Sequence, residues 1–317
     1  MNIGKQAAIV KRKKQTGFIF NLQKHKYDYA LILPAMIFVL IFSYLPLTGI
    51  VIAFQDFDIM KGVTGSNWVG LANFKTIFTY PNMLGAIRNT LIYGCVILFG
   101  AFPFPILLAI LFNELRNMKF KKVVQTITYM PYFLSWISVI GLVYSMVSID
   151  GTFNQILAKI VGEGYVAKNP LMDSKYFLPI IFLSHLWKNI GWSSVLFLAA
   201  ITGIDPTLYE AATVDGCGKL RQVWYITLPC IKTTAIIALV MSLGGLVNTN
   251  FEQIYGFQNV YIQEATETIN TMIYRQGIQN GKYSLSTAFG LAQGLVTVTL
   301  MLISNTISKK LFSASIW

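Results

Sequence analysis

Six apolar runs, each long enough to cross a bilayer, leave this chain few ways to fold. They lie at about 29–54, 86–112, 126–147, 177–201, 231–251 and 285–307. Roughly 20 apolar residues in helical form span the hydrocarbon layer. No water is at hand there, so every backbone N–H and C=O must be paired within the protein, and a helix does this on its own. The fold class that follows is all-α: a polytopic membrane protein with six transmembrane helices. Composition agrees, since 55% of the 317 residues are hydrophobic and only 12% charged. A soluble chain so built would expose large apolar patches. The layout is a basic tail over 1–28, a membrane domain over 29–309 and a short tail over 310–317.

Prolines and polar residues mark where the runs are not plain lipid-facing helix. Pro34 and Pro46 lie in the first run, and the FPFP segment at 102–105 predicts a kink in the second. Pro131 stands near the start of the third. The fourth is less apolar than the others, with His185, Lys188, Asn189, Ser193 and Ser194. Ionisable groups in mid-membrane are costly, so Lys188 is expected beside a water-filled path or a partner inside the bundle. Between the first two runs, Trp68, Leu71, Phe74, Ile77 and Phe78 recur at three- to four-residue spacing. That pattern predicts a short amphipathic helix at the interface, open to lipid packing or to receptor docking. Turn signals make 148–176 a loop, and 255–284 reads as the last external loop.

A net charge of +12 fits either nucleic acid or a membrane surface. The placement of the charges decides. With the N-terminus inside, cytoplasmic parts hold 16 of the 25 Lys and Arg, external loops hold eight, and Lys188 lies within a span. That is the positive-inside bias. The charge therefore records topology, both termini are expected in the cytoplasm, and no nucleic-acid partner is expected. An interfacial helix is expected in the tail, where Phe18, Ile19, Phe20 and Leu22 follow a lysine-rich stretch. Cys95, Cys217 and Cys230 make no disulfide framework. The chain contains no HExxH, paired CxxC, GxGxxG, Walker A or GxSxG, so neither a catalytic residue nor a metal ligand is expected.

The stretch 205–229, DPTLYEAATVDGCGKLRQVWYITLP, is a charged break of 25 residues that this topology puts in the cytoplasm. Asp205 can cap a helix and Pro206 suits its first position. Leu208, Tyr209, Ala211 and Ala212 surround Glu210 with a small, partly apolar surface. Gly216 and Gly218 break that helix and allow a tight turn. Leu220, Val223, Trp224 and Ile226 predict a second amphipathic helix along the membrane, closed by Pro229. Small residues beside a fixed acid suit docking into a groove on another protein. An ordinary connector is the alternative, although helix–helix connections usually take only about 2–8 residues.

E-A-A-T-V-D-G-C-G at 210–218, followed by I-T-L-P at 226–229, resembles the EAA signature of ABC-importer permeases. It departs at Cys217, where Ala is common, and at Val223, where an aromatic is common. The segments PLTGIVIAFQDFD, WVGLANF, LLAILFNELRNMKFKKVVQTITYMPYFLSW and LAAITGIDPTLYEAATVDG extend the resemblance over nearly the whole chain. They are similar to the maltose-type sugar-importer permeases, above all to the branch for complex oligosaccharides and polysaccharide fragments in Gram-positive bacteria. The resemblance implies the type I importer permease fold in the plasma membrane. It implies as partners a homologous second permease subunit, two copies of a cytoplasmic ATPase, an extracellular lipid-anchored sugar-binding protein and membrane lipid. No cofactor is implied for this chain, since ATP and Mg belong to the partner ATPase, and the chain is not itself an enzyme. Glu210, Ala211, Ala212, Asp215 and Gly216 are implied as the ATPase-docking residues.

Sugars are held by aromatic faces and planar polar side chains. Candidates for the substrate path are Asn248, Asn250, Glu252 and Gln253 at the outer end of the fifth run, Gln293 in the sixth and Tyr144 in the third. Trp187 and Trp192 are possible stacking platforms, with helix packing or an interfacial belt as the competing role. The function implied is a permease that translocates oligosaccharides or glycan fragments by alternating access, driven by ATP. A non-sugar solute moved by the same machinery is the alternative. A membrane-embedded enzyme would need clustered acids, His or a metal motif near one face, and a sensor would need a cytoplasmic signalling domain; the sequence carries neither.

Overall fold

Prolines remove backbone donors along this chain, and the way each gap is taken up places several of its helix ends. The computed structural model describes residues 25–162 and 164–312. The interfacial helix expected in the tail therefore lies outside the described residues, as do 313–317. In chain order the elements used below are α1 (Lys26–Phe54), β1 (Gln55–Asp56), β2 (Asn67–Trp68), α2 (Ala72–Thr79), α3 (Met83–Glu114) and α4 (Met118–Tyr129). They continue with α5 (Trp136–Val147), α6 (Thr152–Val161), α7 (Ser174–Thr202), α8 (Pro206–Val214) and α9 (Lys219–Leu246). The last are α10 (Phe251–Phe257), α11 (Ile269–Tyr274) and α12 (Tyr283–Phe312). The two strands form a two-residue antiparallel pair, Gln55 opposite Trp68.

By length and composition, α1, α3, the stretch Trp136–Val161, α9 and α12 are each able to cross a membrane. The helix α7, taken with α8 across a 69° bend, brings the number to as many as six among the described residues. Among the described residues, those to Val51 form one unit and those from Ile52 another. The first unit winds as α-helix to Val39, as a π turn over Leu40–Tyr44 and as 3-10 helix from Leu45, beside Pro46.

Three apolar clusters hold the second unit. Ile77, Met83, Met272 and Phe289 join α2, α3, α11 and α12. Tyr93, Phe177, Ile254 and Phe257 join α3, α7 and α10. Ala109, Phe197, Ile201 and Ile231 join α3, α7 and α9. The helix α3 takes part in all three clusters and α7 in two of them, so this pair forms the spine of the unit. The expected interfacial helix is α2, but it turns Phe74 and Ile77 into the first cluster and leaves Phe78 outside. Two of the five spaced apolar residues, Phe74 and Ile77, therefore pack inward, while Trp68, Leu71 and Phe78 stay exposed.

Proline explains where the expected spans were misplaced. The third was put at 126–147, yet α4 starts at Met118 and the chain breaks after it through a 3-10 turn over Met130–Phe133. Pro131 has no N–H to donate and cannot carry a helix on. Ser135 restarts it by accepting from the Ser138 N–H at 3.2 Å. The apolar stretch then runs to Val161, so α6 fills what was expected to be loop. At Pro229 the opposite happens. A π turn over Val223–Thr227 absorbs the missing N–H, and α9 runs on from Lys219. Leu220, Val223, Trp224 and Ile226 are therefore the first turns of the fifth span, not a separate helix. That span ends at Leu246 through a 3-10 turn, short of the expected 251. The π turn Val96–Gly100 does the same for Pro103 and Pro105 in α3.

The segment 255–284 is not an open loop either. Arg275 is buried and donates to Glu267 and to Gln258, tying α11 to the residues before it.

Candidate functional site

The helix α8 is built by local chemistry at both ends. Asp205 accepts from the Thr207 N–H at 2.9 Å, with Pro206 in the first helical position. At the other end Gly216 takes φ +75°. Its N–H donates to the Thr213 carbonyl at 3.1 Å, and the Cys217 N–H donates to the Ala212 carbonyl at 2.8 Å. This pair of bonds closes a helix only if the residue at the turn is left-handed, a conformation open to glycine without strain.

Side chains then lock α8 to α9. The buried Gln222 donates to the Thr213 hydroxyl at 3.0 Å and the Cys217 carbonyl at 3.2 Å. The hydroxyls of Tyr209 and Thr227 meet at 2.9 Å. Lys219 pairs with Glu114 at the end of α3, 3.1 Å away. Glu210, Ala211, Asp215 and Gly216 stay exposed and Ala212 is half-buried. Glu210 also lines a cleft of about 500 Å³ between α8 and residues Asn113–Arg116. All five docking candidates therefore sit on one short, rigidly held helix and its turn.

A second feature lies inside the bundle. Between α3, α7 and α9 is a cavity of about 440 Å³ whose polar lining is His185, Asn189, Ser193 and Ser242, with Trp192 beside them. His185, Asn189 and Ser193 recur every four residues and so share one face of α7. Asn189 donates to the His185 carbonyl at 2.9 Å. Gly94 lines the cavity too, and a Cβ there would run into the Leu246 carbonyl, so α3 and α9 touch backbone to backbone. The four-residue recurrence of polar residues in an apolar run was the signal available for this cavity.

The eight path residues named from sequence do not form one site. Only Trp192 lines the cavity. Trp187 faces a different, apolar cleft of about 460 Å³ with Leu142, Met146 and Phe153. Tyr144 stacks on Phe257 with ring centres 6.3 Å apart. Asn250 caps α10, accepting from the Gln253 N–H at 2.9 Å, and Glu252 is exposed in its first turn. Gln253 is 0% exposed and donates to the Ile181 carbonyl at 2.7 Å and to Ser184 at 2.9 Å, so its amide clamps α10 to α7.

Asn248 and Gln293 do come together, through a residue that sequence reasoning missed. Asn270 donates to Asn248 at 3.1 Å and to the Thr249 carbonyl at 2.6 Å. Gln293 donates to Asn270 at 2.7 Å and to the Val247 carbonyl at 2.8 Å. The three amides seal the backbone opened between α9 and α10.

Residues 72–314 match the family described as the binding-protein-dependent transport system inner membrane component. This chain belongs to that family. It is a multi-pass membrane protein of a transport family rather than a catalytic one. The permease is 41% identical over 305 residues to the polygalacturonan/rhamnogalacturonan transport system permease protein of Bacillus subtilis (strain 168), covering 96% of this chain and 94% of that one. It is 30% identical over 291 residues to the arabinooligosaccharides transport system permease protein of Halalkalibacterium halodurans, covering 90% and 88%. Among solved structures, it matches a bacterial ABC transporter involved in the import of the acidic polysaccharide alginate. There the TM-score is 0.84 and the identity 35%, over 92% of this chain and 98% of that one. A second structure of the alginate transporter, in complex with an alginate pentasaccharide-bound periplasmic protein, matches with a TM-score of 0.84 as well.

Proposed function

We propose that this chain is the permease subunit of an ATP-driven importer for oligosaccharides or glycan fragments, with both termini in the cytoplasm. The observation that carries the reading is α8: a capped helix that leaves Glu210, Ala211, Ala212, Asp215 and Gly216 presented and is locked to the base of α9 through Gln222 and Tyr209. A push on such a helix reaches the bundle without being lost in a loop. The partner that pushes is an ATPase, present in two copies and supplying the ATP and Mg chemistry. A homologous second permease subunit completes the pathway, and an extracellular sugar-binding protein delivers the solute; the periplasmic protein bound to the alginate transporter supports that partner.

The solute path runs through the cavity of His185, Asn189, Ser193, Ser242 and Trp192, which pairs polar groups with an aromatic edge. Polygalacturonan/rhamnogalacturonan, arabinooligosaccharides and alginate in the relatives' names favour a glycan over a non-sugar solute. Import follows from two packings of the bundle whose balance the partners shift.

Glu210→Lys and Gly216→Pro test the reading. Proline cannot take φ +75° and removes the N–H that bonds Thr213. Both variants are expected to remain in the membrane and to lose uptake of a labelled oligosaccharide. Uptake at the wild-type rate in both would sink it.

A further inference from the structure

Lys188 is a cation at the centre of α7, as far from one end of that helix as from the other. It is 7% exposed, and its Nζ donates to the Tyr132 carbonyl at 2.7 Å. That carbonyl is open because the chain breaks between α4 and α5. The ammonium also lies over the rings of Tyr132, at 5.3 Å, and Trp136, at 5.5 Å. No ion pair among the described residues includes it. Glu252 is the carboxylate whose field reaches it, from the exposed first turn of α10.

The carbonyl explains a donor at this position but not a charge. A glutamine, whose amide can donate, would serve Tyr132 without bringing a cation into the membrane interior, where ionisable groups are costly and mark ligand paths. Tyr132 in turn stacks on Trp192, with ring centres 4.8 Å apart and planes 9° apart. Trp192 lines the cavity, and that lining contains no Asp or Glu. The order outward from the cavity is therefore Trp192, Tyr132, Lys188. A fixed cation behind a low-dielectric wall, with no anion facing it across the cavity, makes the space electropositive. A neutral sugar gains little from that field. A sugar bearing a carboxylate gains directly.

We infer that the cavity selects carboxylated oligosaccharides, those built on uronic acids, and that Lys188 is the specificity-determining charge. It acts through the Tyr132–Trp192 pair rather than by touching the sugar. The inference rests on the glycan-import reading above.

The test uses the complete transporter, with the same binding protein, partner permease and ATPase in every arm. The probes are a labelled oligogalacturonate trimer and its fully methyl-esterified form, which keeps the backbone and removes the charge. Wild type is expected to favour the acid. Lys188→Gln, which can still donate to Tyr132, is expected to lower the acid-to-ester uptake ratio about tenfold, the order expected for one charge acting across about 10 Å at an effective dielectric near 20. Lys188→Arg is expected to keep the ratio. A wild-type ratio in Lys188→Gln, or equal uptake of both probes by wild type, overturns the inference and leaves glycan import standing. Uptake of neither probe by wild type overturns the inference, and the glycan-import reading is then decided by the labelled-oligosaccharide uptake described above. Equal uptake of both probes by wild type overturns the inference even if Lys188→Gln fails to assemble.

Discussion

Gly191 sits where α7 meets the last turn of α4, and its missing side chain is what allows the contact. A Cβ there would collide with the Thr128 carbonyl and press on the Tyr129 ring at 3.1 Å. A carbonyl in a helix cannot swing aside as a long side chain can. Small residues are how membrane helices bring their backbones together, since lipid offers no hydrophobic drive between them. Overpacking of this kind costs about 1–3 kcal/mol. Gly191→Ala is therefore expected to lower the thermal stability of the detergent-purified protein and its amount in the membrane. Gly141→Ala is the control, because nothing lies within 4 Å of that position. Equal melting of the two variants would remove Gly191 from the list of packing contacts. The same contact positions the cavity: Trp192 is the next residue, so a shift of α7 at Gly191 moves the cavity wall.

At the scale of elements, α8 was legible in the sequence, because its signals are local. Asp205-Pro206 announces its start and Gly216 its end, and the structure puts the cap and the left-handed turn at those residues. Asp205 gives a pH prediction. The Thr207 N–H, and then the Thr207 hydroxyl, hold its carboxyl below the ordinary aspartate value of 3.8. A folded value below the unfolded one means that the ionised cap stabilises α8 fully above about 3.9, and that this is lost as pH falls through the depressed value. Carbon-13 titration of the Asp205 carboxyl should give a midpoint below 3.8; a midpoint at or above it would remove the cap. The limits of α5 and α9 were not legible, because a proline in an apolar run is ambiguous. Pro131 breaks its helix and Pro229 does not. The difference lies in what takes up the freed backbone: Lys188 binds the Tyr132 carbonyl in the first case, and a π turn shifts the ladder in the second. Asn270 was invisible for the same reason, since its role depends on a break about 20 residues earlier in the chain.

At the scale of the whole molecule, one quantity ties the parts together: which side of the membrane each connection faces. Charge asymmetry predicts α8 in the cytoplasm and the α10–α11 segment outside, and the proposed docking of an ATPase on α8 requires the first of these. The chain carries its own probe. Cys217 follows the turn of α8 and is partly exposed, while Val260, after α10, is 89% exposed. With Cys95 and Cys230 replaced by serine, a membrane-impermeant maleimide is expected to miss Cys217 in intact cells and to label it in inside-out vesicles. Val260→Cys, in the same background with Cys217 also replaced, is expected to show the reverse. The experiment constrains more than orientation. The tie between α8 and α9 is internal to the chain and survives either result, so it cannot by itself say where the driving force comes from. Labelling of Cys217 from outside would put α8 away from ATP and would remove the ATPase from the mechanism. Labelling only from inside leaves the rigid, capped helix facing the compartment where ATP is found.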